Sequence, residues 1–183
     1  MNYLEKVKMM AELTATTPKV KALCFDLDGT LANLYGVPNW LEKLRAYDAS
    51  PYIQAQPMCD MELLAELLHM AMNQGIEVRI ITWLSKESTK EYDNAVRIAK
   101  RVWLDYFHIP YDHFHGVAYG TTKANMVRGV LNYEECETAV LFDDNEKVRN
   151  GWHMGEAYDP ANCDICEVLK AILNLEDDEN EEV

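Results

Sequence analysis

Apolar residues along this chain occur in short runs and, between those runs, in longer segments with helical spacing. Buried strands are predicted for the short runs, which cover residues 20–25, 76–81, 113–119, 138–142 and 157–158. Helices are predicted between Asp60 and Gly75, over residues 86–107, from Lys123, over residues 146–153 and from Asp164. Strands that alternate with helices form parallel sheets. The pattern therefore predicts an α/β fold, a Rossmann-like parallel sheet with helices on both faces.

One segment breaks this alternation. Residues 33–57 contain three prolines and only one short amphipathic piece, residues 40–44, and they are too long for a plain loop. We interpret them as a small helical cap inserted after the first strand. The predicted organisation is an N-terminal helical segment (1–19), a core domain (20–175) with the cap at about 34–57, and a disordered acidic tail (176–183).

Composition narrows the class of protein. The length of 183 residues and the hydrophobic content of 49% suit one domain, and five cysteines favour reduced thiols in the cytoplasm over a disulfide framework. The net charge of −14 argues against extended nucleic acid as a partner, because phosphate contacts need a basic surface. No stretch has the apolar character of a signal peptide or a membrane span, so no membrane partner is predicted.

Carboxylates follow two of the predicted strands. Asp26 and Asp28 come directly after the first strand, where Gly29 turns the chain, and Asp143 and Asp144 come after the fourth. Because ligands bind at the carboxyl ends of parallel strands, these residues are expected to meet at one site. Buried carboxylates repel one another, and a divalent cation offsets that repulsion. Oxygen ligands suit Mg²⁺.

Four short motifs, in this order, resemble those of the haloacid dehalogenase-like superfamily. They are Asp26-Leu27-Asp28-Gly29-Thr30 after an apolar strand, Thr82 at the end of the second strand, Lys123 at the start of a helix, and Asp143-Asp144 after the fourth strand. The resemblance extends over most of the chain, and it implies an enzyme of phosphoryl transfer.

The resemblance implies catalytic roles for four residues. Asp26 is expected to be the nucleophile that forms an aspartyl-phosphate, and Asp28 to protonate the leaving oxygen and later activate water. Thr82 is expected to hold the phosphoryl group by its hydroxyl, and Lys123 to neutralise the nucleophile and a phosphate oxygen. From the residues alone, Thr82 also fits a turn cap and Lys123 a solvated first-turn residue. Two other lysines compete for the role of Lys123, namely Lys86 and Lys147.

The same resemblance implies a Mg²⁺ site. Its ligands would be Asp26, Asp143 and the main-chain carbonyl of Asp28. Asp144 would support the metal directly or through water. Asp144 also fits the N-cap of the following helix, a role for which Asn145 competes.

Within the family that the chain resembles, an acid two residues after the nucleophile is typical of phosphatases and phosphomutases, so the resemblance with Asp28 implies a phosphomonoester hydrolase. A phosphomutase and a non-catalytic phosphate- or nucleotide-binding protein are the alternatives. The short cap and the acidic pair are somewhat similar to small nucleotidases, the deoxyribonucleotidases. This favours a nucleoside monophosphate as the small phosphorylated substrate, although Thr30 stands where those enzymes often have valine.

Aromatic residues near the predicted pocket mouth offer a way to bind a base. Tyr35 and Trp40 lie in the cap and Trp83 follows Thr82, so these rings either stack a nucleobase or pack within the cap. Cys163 and Cys166 form a C-x-x-C pair at a predicted helix N-terminus, for which two idle thiols are favoured over a redox role.

Overall fold

The computed structural model describes residues 19–86, 88–132 and 137–175. Its strands are β1 (Lys19–Phe25), β2 (Ala32–Asn33), β3 (Gln56–Pro57), β4 (Glu77–Trp83), β5 (His113–Val117), β6 (Glu137–Phe142) and β7 (Ala157–Tyr158). Its α-helices are α1 (Trp40–Arg45), α2 (Ser50–Gln54), α3 (Met61–Asn73), α4 (Lys90–Tyr106), α5 (Glu146–Asn150) and α6 (Ile165–Ile172). All but the last residue of the N-terminal helical segment predicted for residues 1–19, and the acidic tail predicted for residues 176–183, lie outside the described residues.

A five-stranded sheet in the order β5-β4-β1-β6-β7 forms the centre of the molecule. Every neighbouring pair of its strands is parallel, which confirms the predicted α/β fold. The central strand β1 pairs with both β4 and β6. The carboxyl ends of these three strands therefore lie side by side at one edge of the sheet, where ligands bind in folds of this kind.

The two faces of β1 contribute to two different hydrophobic cores. Leu23 and Phe25 belong to a core that includes residues of α3, α4 and α6, whereas Ala22 and Cys24 belong to the opposite core. The opposite core is covered by a 3₁₀ helix, residues 123–127, and by the segment after α5. Both faces of the sheet are thus buried, as parallel sheets require.

The helix predicted to begin at Lys123 is the 3₁₀ helix, and it is shorter than the apolar positions up to Leu131 indicate. It contains five residues, and it ends because Arg128 is extended and Gly129 takes a positive φ of 83°. Arg79 on β4 donates a hydrogen bond of 2.9 Å to the Met126 carbonyl. This contact ties the short helix, and with it Lys123, to the sheet.

The helix predicted to begin at residue 86 begins instead at Lys90. Thr89 is its N-cap, and the Thr89 Oγ1 accepts a hydrogen bond of 3.2 Å from the Tyr92 N–H. With 17 residues, α4 is the longest helix in the described ranges. None of the helices described has both the length and the apolar character needed to cross a bilayer.

The insertion after β1 consists of α1 and α2, enclosed by β2 and β3. These two strands are antiparallel and bring the ends of the insertion together. Leu34 and Tyr52 pack the insertion onto α4 in a buried cluster with Tyr92 and Val96. A small helical cap after the first strand is therefore present, as predicted. The β2–β3 pair was not predicted, because two residues per strand are too few to show alternation.

Candidate active site

Carboxylates from two strand ends meet one lysine at the carboxyl edge of the sheet. The Asp26 N–H donates a hydrogen bond of 2.9 Å to the Phe142 carbonyl, which fixes Asp26 beside the end of β6. Lys123 Nζ lies 2.7 Å from Asp26 Oδ1 and 2.6 Å from Asp143 Oδ2. Burial lowers the pKa of Lys123, but Asp26 and Asp143 together outweigh burial and raise it. Lys123 is therefore a buried cation between two carboxylates rather than a solvated one.

A tight turn follows Asp26 and leads to the second half of the site. The Leu27 carbonyl accepts hydrogen bonds from the N–H groups of Leu31 and Ala32, at 3.0 and 2.8 Å. Thr30 is buried, and its Oγ1 accepts a hydrogen bond of 3.1 Å from the Asp144 N–H. The turn after β1 is thus held directly against the acidic pair after β6.

Gly29 lies where the turn after β1 comes close to the Asp144 side chain. Its φ is +81°, and a Cβ there would lie 2.5 Å from Asp144 Oδ2 and 2.7 Å from Tyr35 Cε2. We expect Gly29→Ala to lower kcat about 10–100-fold, because a displaced carboxylate or ring in an active site has effects of that order. Phosphate release from an aryl phosphate measures this loss.

Gly75 provides a matched control. Its φ of +80° imposes the same backbone strain on alanine, but no atom lies within 4 Å of a Cβ at that position. Both variants are expected to lose roughly 1–2 kcal/mol of stability, whereas only Gly29→Ala loses activity. Equal activity of the two variants would show that the close approach to Asp144 is unimportant.

Three carboxylates form a group that suits a hard cation. Oxygens of Asp26, Asp143 and Asp144 all lie within 4.8 Å of one another. Burial, reinforced by the Asp26 charge, raises the pKa of Asp143 to about 6 and that of Asp144 to about 7. A divalent cation would offset this repulsion, and oxygen donors alone suit Mg²⁺. The donor set therefore fits the ion that the sequence motifs imply.

Lys100 is a candidate that the sequence motifs do not include. Its Nζ lies 2.5 Å from Asp28 Oδ2, 2.7 Å from Thr82 Oγ1 and 2.9 Å from the Trp83 carbonyl oxygen. The Lys100 side chain is completely buried. Burial raises the pKa of Asp28 against the attraction of Lys100. The two carboxylates of the Asp-x-Asp motif thus form ion pairs with two different lysines, Asp26 with Lys123 and Asp28 with Lys100.

A signal for Lys100 was present in the sequence. It lies four residues after Val96 and three before Trp103, on the buried face of α4. Lysine is almost never fully buried unless it is paired, so a lysine on an apolar helix face indicates a carboxylate partner. The pattern does not identify that partner, because Asp28 is 72 positions away in the chain.

Thr82 lies behind the wall of the site. It is fully buried, its hydroxyl accepts the Lys100 hydrogen bond, and it is not among the residues that line the cavity. Ser85, three residues further on, does line the cavity, with its Oγ 3.1 Å from the Tyr52 hydroxyl. A direct contact between Thr82 and a phosphoryl group stays a prediction, and Ser85 is a hydroxyl that already faces the cavity.

A cavity of about 750 Å³ lies between the cap and the carboxyl edge of the sheet. All of its acidic residues, together with Lys123, come from the site described above. They are Asp26, Asp28, Asp143 and Asp144. Aromatic and basic side chains make up much of the remaining wall, namely Tyr35, Trp40, Arg45, Tyr47, Tyr52, Trp83, Lys86 and Tyr119. Such a wall suits an anionic substrate with a planar group.

Trp83 is held in place by the protein itself. Its indole N–H donates a hydrogen bond of 2.9 Å to the Thr121 carbonyl, and Lys123 Nζ lies 5.4 Å from the centre of its ring. The Tyr119 ring lies 4.9 Å away, centre to centre, and is 56% exposed. On the cap side, Tyr35 and Trp40 form an edge-to-face pair at 5.2 Å. Trp83 thus packs against Lys123 and also lines the cavity.

The structure shows where the residues with alternative predicted roles lie. Asn145, not Asp144, is the N-cap of α5, since its side chain accepts hydrogen bonds from the N–H groups of Lys147 and Val148. Lys86 and Lys147 are both exposed, whereas Lys123 contacts Asp26. Asp144 is therefore available for a role in the site.

Cys163 lies just before α6, and Cys166 lies in its first turn. Burial raises the pKa of Cys163, and it raises the pKa of Cys166 to about 11. Thiols with raised pKa are poor nucleophiles at neutral pH. The raised pKa values favour the interpretation of Cys163 and Cys166 as idle thiols.

Comparisons with known proteins agree with this fold. No protein-family model and no curated protein matches the chain. A structure of the Pnkp1/Rnl/Hen1 RNA repair complex is similar over 76% of this chain, at 23% identity and a TM-score of 0.51. This chain spans 42% of the length of that protein.

Two further solved structures have TM-scores below that of the RNA repair complex. A hydrolase from Streptococcus pneumoniae has 12% identity and a TM-score of 0.47, covering 86% of this chain and all of its own. A HAD superfamily (subfamily III A) hydrolase from Legionella pneumophila has 17% identity and a TM-score of 0.42, covering 93% of both chains.

Proposed function

We propose that this chain, whose sequence motifs resemble those of the haloacid dehalogenase-like superfamily, is a Mg²⁺-dependent phosphomonoester hydrolase acting through an aspartyl-phosphate on Asp26. The observation that carries the proposal is the contact of 2.7 Å between Asp26 and the buried Lys123 at the base of a cavity. A carboxylate can approach a phosphate anion only if nearby cations offset the repulsion.

In the first step, an oxygen of Asp26 attacks the phosphorus and the bond from phosphorus to the ester oxygen breaks. Asp28, in its protonated form, gives its proton to the leaving oxygen, so that an alcohol departs. The product on the protein is an acyl phosphate of Asp26. Burial raises the pKa of Asp28, which favours the protonated form that this step needs.

In the second step, water attacks the phosphorus of the acyl phosphate while Asp28, now a carboxylate, takes a proton from that water. The bond between phosphorus and the Asp26 oxygen breaks, and inorganic phosphate leaves. Lys123 contacts Asp26 and Asp143 in both steps and offsets the charge that gathers between them. Asp26, Asp143, Asp144 and the Asp28 carbonyl would hold Mg²⁺, which supplies charge neutralisation at the phosphoryl oxygens.

A release assay over a panel of phosphomonoesters, with and without Mg²⁺, tests this function. We expect free phosphate to appear only when Mg²⁺ is present. An isomeric phosphate as the sole product would instead indicate a phosphomutase, and binding without turnover would indicate a phosphate- or nucleotide-binding protein. Full activity after exhaustive chelation would contradict the metal requirement.

The proposed substrate is a nucleoside monophosphate. Tyr35 and Trp40 on the cap and Trp83 and Tyr119 on the core line one cavity, so a planar base has aromatic surfaces on both sides. Arg45, at the end of α1, adds an exposed cation to the same wall. Base stacking on aromatic side chains is worth about 1–3 kcal/mol per base, which is enough to separate nucleotides from sugar phosphates.

Tyr119→Ala tests the stacking at a ring that is 56% exposed. We expect its kcat/KM to fall roughly 5- to 100-fold for nucleoside monophosphates and to stay nearly unchanged for a small aryl phosphate. Trp83→Ala is less informative, because Trp83 also contacts Lys123 and its loss is expected to lower turnover of every substrate.

Tyr106→Ala is the control for Tyr119→Ala. Tyr106 is 75% exposed and lies on α4, outside the residues that line the cavity. Equal losses on nucleotides and aryl phosphate in Tyr119→Ala, or no preference for nucleotides in the parent protein, would reject the stacking proposal.

A further inference from the structure

Lys100 joins four parts of the molecule at one buried ammonium group. It donates hydrogen bonds to Asp28 in the turn after β1 and to Thr82 and the Trp83 carbonyl on β4. Its Nζ also lies 4.8 Å from the centre of the Tyr52 ring, which belongs to the cap. The lysine itself lies on α4, so core, turn and cap all meet at this point.

The two lysines of the site form ion pairs with different carboxylates. Lys123 contacts Asp26 and Asp143, whereas Lys100 contacts Asp28. A single cation would attract both carboxylates of the Asp-x-Asp motif to the same place. Two separate cations keep the Asp28 carboxyl group apart from the Asp26 carboxyl group, as an acid that acts on the opposite side of the phosphorus requires.

The three acceptors of Lys100 fix where its ammonium lies. Three acceptors match the three N–H donors of a lysine ammonium, and each distance is between 2.5 and 2.9 Å. The Tyr52 ring covers the ammonium, and the Tyr52 hydroxyl is held 3.1 Å from Ser85 Oγ. Asp28 therefore contacts a cation whose own position is determined by β4 and the cap.

We infer that Lys100 is a positioning residue for Asp28: it holds the Asp28 carboxyl group at the place from which it serves the leaving oxygen, and it links that place to the cap through Tyr52. The inference rests on the proposed hydrolase function. Lys100 itself is fully buried and does not line the cavity, so it acts through Asp28 and not on the substrate.

A double-mutant cycle on Lys100→Met and Asp28→Asn tests the inference with two substrates, an activated aryl phosphate and an alkyl phosphate. A general acid matters most when the leaving oxygen is a poor one, so its loss costs about 10²–10⁴-fold on such substrates. We expect Lys100→Met to lower kcat at least about tenfold more on the alkyl phosphate than on the aryl phosphate. Asp28→Asn is expected to show the same selectivity.

The double variant separates positioning from a structural role. If Lys100 acts only through Asp28, the double variant has the same kcat as Asp28→Asn on both substrates. This comparison also holds if Lys100→Met alone folds poorly, because Asp28→Asn removes the charge that would be left buried without its cation. Lys90→Met, at the exposed start of α4, is the matched control and is expected to retain the activity of the parent protein.

Two outcomes would overturn the inference. One is an equal loss on both substrates in Lys100→Met, and the other is a further loss in the double variant relative to Asp28→Asn. Failure of the proposed hydrolase function gives a different result, since the parent protein would then release no phosphate from either substrate.

Discussion

Replacing Asp26 with asparagine is expected to lower kcat about 10⁴-fold or more on every phosphomonoester that the parent protein hydrolyses. The amide has the size of the carboxylate but cannot attack phosphorus to form an acyl phosphate. The fold is expected to persist, because Lys123 keeps Asp143 as a partner at 2.6 Å and one negative charge leaves a crowded acidic group. Phosphate release and thermal unfolding measure the two effects separately.

Asp105→Asn is the control for this prediction, since Asp105 is an exposed carboxylate on α4. It is expected to behave like the parent protein in both measurements. Rapid acid quenching after addition of a labelled phosphomonoester should trap label on the parent protein and none on Asp26→Asn. Substantial turnover by Asp26→Asn would eliminate the aspartyl-phosphate mechanism.

Those parts of the fold that depend on repeated local patterns were predictable from the sequence. The apolar runs predicted the central strands β1, β4 and β6, because a strand buried on both faces is continuously apolar. Placing Asp26 and Asp143 together required only the rule that parallel strands share one carboxyl edge. The contact of both carboxylates with Lys123 agrees with that expectation, whereas their catalytic and metal-binding roles stay proposals.

Features that depend on tertiary contacts were not predictable. Lys100 is paired with a carboxylate 72 positions away, and no local pattern encodes such a distance. The short length of the helix that begins at Lys123 was not predicted, because apolar spacing does not indicate the extended Arg128 or the positive φ of Gly129. Thr82 was correctly placed at a strand end, but its hydrogen bond with Lys100 joins two elements that no local pattern relates.

Asp143→Asn is expected to remove most of the stabilisation that Mg²⁺ gives to the parent protein. A ligand at 100 times its Kd stabilises a folded protein by about 2.7 kcal/mol, which for a domain of this size raises Tm by roughly 5–10 °C. Asp143 has no exposed surface and lies in the group of three carboxylates, so its loss removes one third of the charged donors. The expected Tm increase in Asp143→Asn at the same Mg²⁺ concentration is below about 2 °C.

Thermal unfolding with increasing Mg²⁺ measures this difference without relying on turnover. Non-specific binding of Mg²⁺ is a concern for a chain with a net charge of −14, and Asp105→Asn controls for it because it lowers the charge by the same amount. The amide at 143 keeps an oxygen for the hydrogen bond of 2.9 Å that Asp143 Oδ1 accepts from the Asn145 N–H, and Lys123 keeps Asp26 as a partner at 2.7 Å. An equal Mg²⁺-dependent rise in Tm for Asp143→Asn, Asp105→Asn and the parent protein would place the ion elsewhere, because the group formed by Asp26, Asp143 and Asp144 would then make no contribution to its binding.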